Sequence, residues 1–301
     1  MRASARRFIF VAGFAVLFGR SAFAQSQAAE PPDAGLAASA AEQQRARDCN
    51  GFFSCWFERS DKAKATQPRW MTPLVTVTPR LEQEFRYDIA WQGAADGTTT
   101  VNYGFNKGIE LIPTSNTEVI LIAPPYIVHH EPAVHDGSGD AGILVKFRML
   151  SGDEQHGNYI VTFFYQMSFP SGSYSNGAAH AVITPTLAFG KGWGRWDIQG
   201  TLGSGIPVVS AATLGTPVNW NNAVQWHPSK LLWPELEANT IFFPNGKNSG
   251  QKQVFLTPGL ILGRFPLSKR FRLAFGAGYQ IAVTHFHTNN HNVILTVRFP
   301  F

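Results

Sequence analysis

From Leu81 onward the chain repeats one pattern: apolar and polar residues alternate, and charges inside these runs keep almost wholly to one parity. The last two runs carry it most cleanly. Phe271, Leu273, Phe275, Ala277, Tyr279, Ile281 and Val283 share one side, with Arg272, Gly276 and Gln280 opposite. Val293, Leu295, Val297, Phe299 and Phe301 likewise face away from Thr296 and Arg298. Successive side chains of a strand point to opposite faces, so a period of two means a strand with one apolar and one polar face. The charges on the polar parity are Glu84, Arg86, Asp88, Glu110, Glu118, Lys146, Arg148, Asp197, Glu235, Glu237, Arg272 and Arg298. A soluble sandwich only disfavours a charge on its apolar face, whereas a charge facing lipid costs ~2–4 kcal/mol near the midplane. Such segregation predicts that the apolar parity meets lipid and that the charged residues line the inside of a closed barrel. A secreted soluble β-protein is the alternative.

Twelve segments follow one another, most of them about 8 to 15 residues long and so near the ~9–11 residues of a tilted membrane strand. The first runs from Leu81 to Trp91, after a lead-in at Leu74, Thr76 and Thr78. The second covers Val101 to Phe105 and is ended by Asn106-Lys107-Gly108; the third is long, from Ile109 to about Val128. Connections near 92, 129, 170, 208, 244 and 285 are longer and polar, and those near 107, 152, 192, 229 and 267 are short. An even strand number with short turns on one side and longer loops on the other is the arrangement of outer-membrane barrels. Aromatics near strand ends on the apolar parity, such as Tyr87, Trp91, Trp196, Trp226 and Phe271, fit interfacial girdles. The expected fold is all-β: a transmembrane, antiparallel, up-and-down β-barrel of about twelve strands whose C-terminal strand ends in Phe. That ending, with Phe299 and Phe301, resembles bacterial outer-membrane barrels, in which the last strand and its aromatic are read by the barrel-assembly machinery.

Residues 1–24 read as a cleaved signal peptide. Arg2, Arg6 and Arg7 precede a short apolar core, and Ala22-Phe23-Ala24 makes a cleavage site. Removing the four arginines of that segment leaves 21 basic against 20 acidic residues, a net charge of +1. A nucleic-acid partner suggested by basicity therefore loses its support. No later stretch has 18 apolar residues in a row, so a membrane-embedded chain must cross as a closed barrel, which satisfies its own backbone groups in lipid. Residues 25–70 read as a periplasmic leader, flexible or plug-like, with a short helix or turn around Cys49 to Phe57; residues 71–301 read as the barrel. Cys49 and Cys55, the two cysteines of the chain, suit a small disulfide loop in an oxidising compartment, with two free thiols as the alternative.

Tyr103-Gly104 before a turn, Glu110 after it, and Gly139-Asp140 leading into Val145-Lys146-Phe147-Arg148 form a recognisable set. Pro234-Glu235-Leu236-Glu237 and Pro258-Gly259-Leu260 complete it. On these residues the stretch 72–301 resembles the outer-membrane family labelled phenol-degradation meta-pathway transporter. The resemblance implies passage of small, often aromatic or apolar, solutes across the outer membrane of a Gram-negative bacterium, and it supplies no catalytic residues. Expected partners are outer-membrane lipid, the assembly machinery and a small solute; no cofactor is expected. The mixed signs of the inward charges favour pairing, as pore lining or as structural filling. His129, His130 and His135 in one loop, and His285, His287 and His291 in another, are of metal-binding type but lack cysteine partners. A lipid hydrolase is a rival reading, yet no Gly-x-Ser-x-Gly elbow occurs. A structural or adhesive barrel without transport is the other.

Overall fold

The computed structural model describes residues 55–301, residue 106 excepted. The expected signal segment and Cys49 lie outside the described residues. The first strands are β1 (Glu84–Gly93), β2 (Thr99–Tyr103), β3 (Gly108–Thr114), β4 (Thr117–Ile122), β5 (Tyr126–His129) and β6 (Gly137–Ser138). Next come β7 (Gly142–Gly152), β8 (Tyr159–Ser168), β9 (Val182–Trp193), β10 (Trp196–Ser204) and β11 (Ile206–Pro207). The last are β12 (Val218–Trp226), β13 (Leu232–Phe242), β14 (Lys252–Pro266), β15 (Arg272–Ala282) and β16 (His291–Pro300). They make a closed antiparallel barrel of 12 wall strands. Closure comes from β16 pairing with β1 in continuous register, from Glu84↔Pro300 to Gly93↔His291. A closed ladder leaves no edge, which is what lets a sheet sit in hydrocarbon.

Two wall strands are composite. β1 pairs with both β2 and β3, so those two form the second wall strand; β5 and β4 pair with them and form the third. The hairpin between them lies at Ser115–Asn116, not at the expected turn around 107. At that expected turn, Gly104 and Phe105 take positive φ, and the Lys107 N–H donates to the Gly104 carbonyl at 2.9 Å. The chain then resumes in the same direction. The next strand is interrupted at the same level by Pro124-Pro125, which have no N–H to give the ladder. The strand count survives because one misplaced turn is replaced by another.

Burial separates the two faces as the alternation requires. Along β16, Asn292, Ile294, Thr296 and Arg298 are buried while Val293, Leu295 and Val297 face out. Outward aromatics gather near both ends of the wall. Trp193, Trp196, Trp226 and Phe271 lie towards the short turns, and Tyr126, Phe169, Trp220 and Tyr279 towards the loops. Trp196 and Trp226 are register partners with ring centroids 6.0 Å apart. Phe299 lies across from Phe85, and the Phe301 ring is 5.8 Å from that of Phe271. The outer surface is thus an apolar belt with aromatic rims, the surface that lipid rewards and water penalises.

One helix, α1 (Trp56–Ala65), sits at the turn end. Glu58 in its first turn and Lys62 and Lys64 in its last complement the helix dipole. It is tied to the wall by Asp61 to Arg270 at 2.9 Å, the Lys64 ammonium to the Phe301 carbonyl at 2.8 Å and the Ala63 carbonyl to Arg148 at 2.7 Å, and the Ala63 side chain packs with Ile112 of β3 and Leu81. A second short helix, α2 (Ala211–Leu214), lies in a loop at the other end.

Candidate functional site

The chain between α1 and β1 does not join the wall. Residues 66–83 run inside the barrel, and the strand lead-in expected at Leu74, Thr76 and Thr78 is here an irregular segment. Trp70, Met71, Leu74, Thr76, Thr78, Arg80 and Leu81 are all buried. Pro68, Pro73 and Pro79 recur through it, and proline cannot donate to a ladder. The segment therefore makes no strand pairing, and its buried backbone groups need other partners.

The wall supplies them as charged side chains. The Leu74 N–H donates to the Glu235 carboxylate at 2.9 Å, and the Val75 and Thr76 N–H groups donate to Glu237 at 2.7 and 2.6 Å. The Glu82 N–H donates to Glu118. In the other sense, Arg298 donates to the carbonyls of Thr72 and Pro73, Arg86 to those of Pro73 and Leu74, and Lys146 to that of Arg80. Gln199 reaches the Met71 carbonyl at 2.8 Å and Thr162 that of Pro79 at 2.6 Å. Hydrogen bonds to charged groups are the strong class, ~1.5–3 kcal/mol each. The inward charges thus act as a substitute ladder for a segment that has none.

This locates the residues expected to line the interior. Glu84, Arg86, Asp88, Glu110, Glu118, Lys146, Asp197, Glu235, Glu237 and Arg298 are buried in the barrel. Arg86 pairs with Asp88 at 2.8 Å and Lys146 with Glu118 at 2.9 Å, but Glu235, Glu237 and Arg298 are spent on the segment's backbone. Arg148 is half-buried, and Arg272 is exposed at the turn end. The histidines bond within the loop end: His129 reaches Asn176 of the loop after β8 at 2.6 Å, and His287 meets the Thr284 carbonyl and Asn290 of its own loop. Among the described residues no group of three metal-ligating side chains is assembled.

Two apolar side chains of the segment key into glycines of the wall. A Cβ at Gly190 or Gly192 would lie 2.4 or 2.6 Å from Trp70, and one at Gly259 or Gly278 would lie 2.4 or 2.6 Å from Leu74. Those glycines leave the space that the two side chains fill. Gly278→Val should displace Leu74 and weaken docking of the segment by about 1–3 kcal/mol, the usual cost of overpacking. Faster proteolysis within 66–83, with an unchanged heat-dependent gel shift of the barrel, checks it.

The segment fills the turn-end half and turns back at Val75 to Thr78 near mid-barrel, where Val75 and Thr76 meet Glu237. Beside and above that tip three cavities of about 180, 140 and 370 Å³ share Gln166 as a lining residue. The first is lined by Arg86, Lys107, Glu110 and Lys146 beside Ile120, Ile122 and Leu144, and the second by Thr201, Asn219 and Asn221 opposite Leu144 and Phe164. On the loop side of Asp197, Glu237 and Arg298, the buried inward residues of β10 to β16 are uncharged, with Thr201, Asn239, Gln253, Gln280 and Asn292 among them. Gln280 donates to Asn239 at 3.1 Å, and Asn292 donates to Gln280 at 2.5 Å. Opposite them, Ile120, Ile122, Leu144 and Phe164 pack with Val77 of the tip into an apolar patch. Charge-based reading missed this half, although amides and hydroxyls on the inward parity are the signal for it.

No family model and no curated protein matches this chain. Among solved structures it is similar to the COG4313 outer membrane channel from Pseudomonas putida F1, at 11% identity and a TM-score of 0.54, over 77% of this chain and 100% of that one. The NanC porin aligns at 10% identity and a TM-score of 0.48, over 73% and 98% of the two chains. The first likeness is one of fold, and the fold it shares is the closed outer-membrane-type barrel described above.

Proposed function

We propose that this chain is a passive, non-enzymatic pore of a Gram-negative outer membrane, closed from the turn side by its own residues 66–83 and selective for small uncharged solutes of aromatic or apolar character. The observation that carries this reading is the loop-side interior, where amide and hydroxyl side chains of β10 to β16 face the patch of Ile120, Ile122, Leu144 and Phe164, with the charges of Arg86, Lys107, Glu110 and Lys146 confined to the cavity beside the tip. Such a surface gives an ion little to replace its hydration shell, while a flat neutral solute loses little on entry. The apolar belt supports residence in lipid, and the resemblance to phenol-degradation meta-pathway transporters supports the solute class. In this reading the short turns face the periplasm, and Phe299 and Phe301 carry the signal for the assembly machinery.

Swelling of vesicles containing the refolded chain tests the selectivity. Relative to protein-free vesicles, neutral catechol should enter faster than benzoate or benzylammonium of similar size. Equal protein-dependent entry of the charged and neutral solutes would remove the proposed selectivity.

A further inference from the structure

A cavity of about 430 Å³ lies at the turn end, between α1, the stem of the interior segment and the adjoining ends of β14 and β15. Seven of its twelve lining residues are lysine or arginine, and two are carboxylates. Both carboxylates are taken: Glu82 pairs with Arg80 at 2.7 Å, and Asp61 is held by Arg270 at 2.9 Å. Among the described residues Arg69, Lys269 and Arg272 have no ion pair, and Arg264 comes no nearer to a carboxylate than 3.9 Å from Glu82. The surplus cations come from separate elements: Arg69 from the stem, Arg264 and Arg272 from the wall, and Lys269 from a turn, while Lys64 of α1 is held by the Phe301 carbonyl at 2.8 Å. Burial lowers the pKa of Lys64, and the nearby Arg264 adds to that despite the opposing pull of Glu82 and Asp61.

Like charges gathered in one concave space repel unless an anion is shared among them. Guanidinium groups offer the planar forks that suit phosphate oxygens, and the volume lies within the ~300–1,000 Å³ usual for ligand pockets. We propose that this cavity is a binding site for a phosphate-type oxyanion, either free phosphate or the phosphate of a lipid headgroup. The bound anion bridges the stem of the interior segment and α1 to the wall. The site stands apart from the pore reading, because it lies below the interior segment and needs no flux through the barrel.

Calorimetric titration of inorganic pyrophosphate into the refolded full chain, in a phosphate-free detergent at low salt, tests it. Wild type should bind one equivalent, and Lys269→Gln with Arg272→Gln should weaken this at least about tenfold, since two charge-assisted contacts are lost. Lys230→Gln with Lys247→Gln, outside the cavity, should leave it unchanged. A parallel arm adds phosphatidic acid and follows retention by native mass spectrometry. Displacement of the lipid by pyrophosphate supports a site open to free phosphate, and retention against pyrophosphate supports the headgroup. Both ligands behaving identically on wild type and on the folded cavity variant would overturn the proposal, whatever the protein conducts.

Discussion

Glu235→Gln combined with Glu237→Gln should release the interior segment from the wall. Three backbone N–H groups, those of Leu74, Val75 and Thr76, donate to these two carboxylates. Each glutamine keeps one acceptor oxygen and turns a donor towards groups that are themselves donors. Glu237 serves two N–H groups, so one loses its partner outright and the other bonds lose their charge. The combined loss is on the order of 3 kcal/mol, roughly a hundredfold in the docked-to-undocked ratio. Hydrogen exchange of the Leu74 to Thr76 amides should speed up by about that factor, because local opening sets their protection. The wall ladder is untouched, so the heat-dependent gel shift should remain. Unchanged exchange at these amides would mean that the carboxylates do not hold the segment.

Between those glutamates sits Leu236, which points outward and is 52% exposed. Leu236→Arg separates the two solvents the outer face could meet. Facing lipid near the midplane, the arginine costs about 2–4 kcal/mol. Facing water, a surface substitution of this kind stays within ±0.5 kcal/mol or so. Folding titrations into phospholipid vesicles should find the larger loss, and a loss within error would indicate that the belt is not lipid-exposed. The neighbouring substitution Glu235→Gln, aimed inward, should not weaken insertion by a comparable amount.

The wall was readable from the sequence because a barrel imposes one local rule at every strand. In β13, Glu235, Glu237 and Asn239 turn in while Leu236 turns out, and the residues say so without reference to their neighbours in space. The turn at Ser115–Asn116 was harder to place. Gly104, Lys107 and Gly108 look like a hairpin end, and whether a strand reverses there or only kinks depends on pairing with β1, which is a long-range fact. The interior segment was misread for a related reason. Leu74, Thr76 and Thr78 alternate as a strand does, yet the chain bends there and all three are buried inside the barrel. The spacing of Pro68, Pro73 and Pro79 was the local clue that no ladder forms there. The parity of the charges is a local feature of each strand, but their partners are not. Pairing by sign predicts Arg86 with Asp88, whereas Arg298, Glu235 and Glu237 answer backbone groups of a segment many residues away in the chain.

The most direct test of a barrel closed by its own chain is single-channel recording in planar bilayers, comparing the full wild-type protein with its Glu235→Gln, Glu237→Gln variant. The filled turn-side half predicts a wild type that is mostly shut, with brief openings. The variant should be open for most of the record at the same unit conductance. A wild type that conducts steadily, and that the variant matches in amplitude and open time, would contradict it.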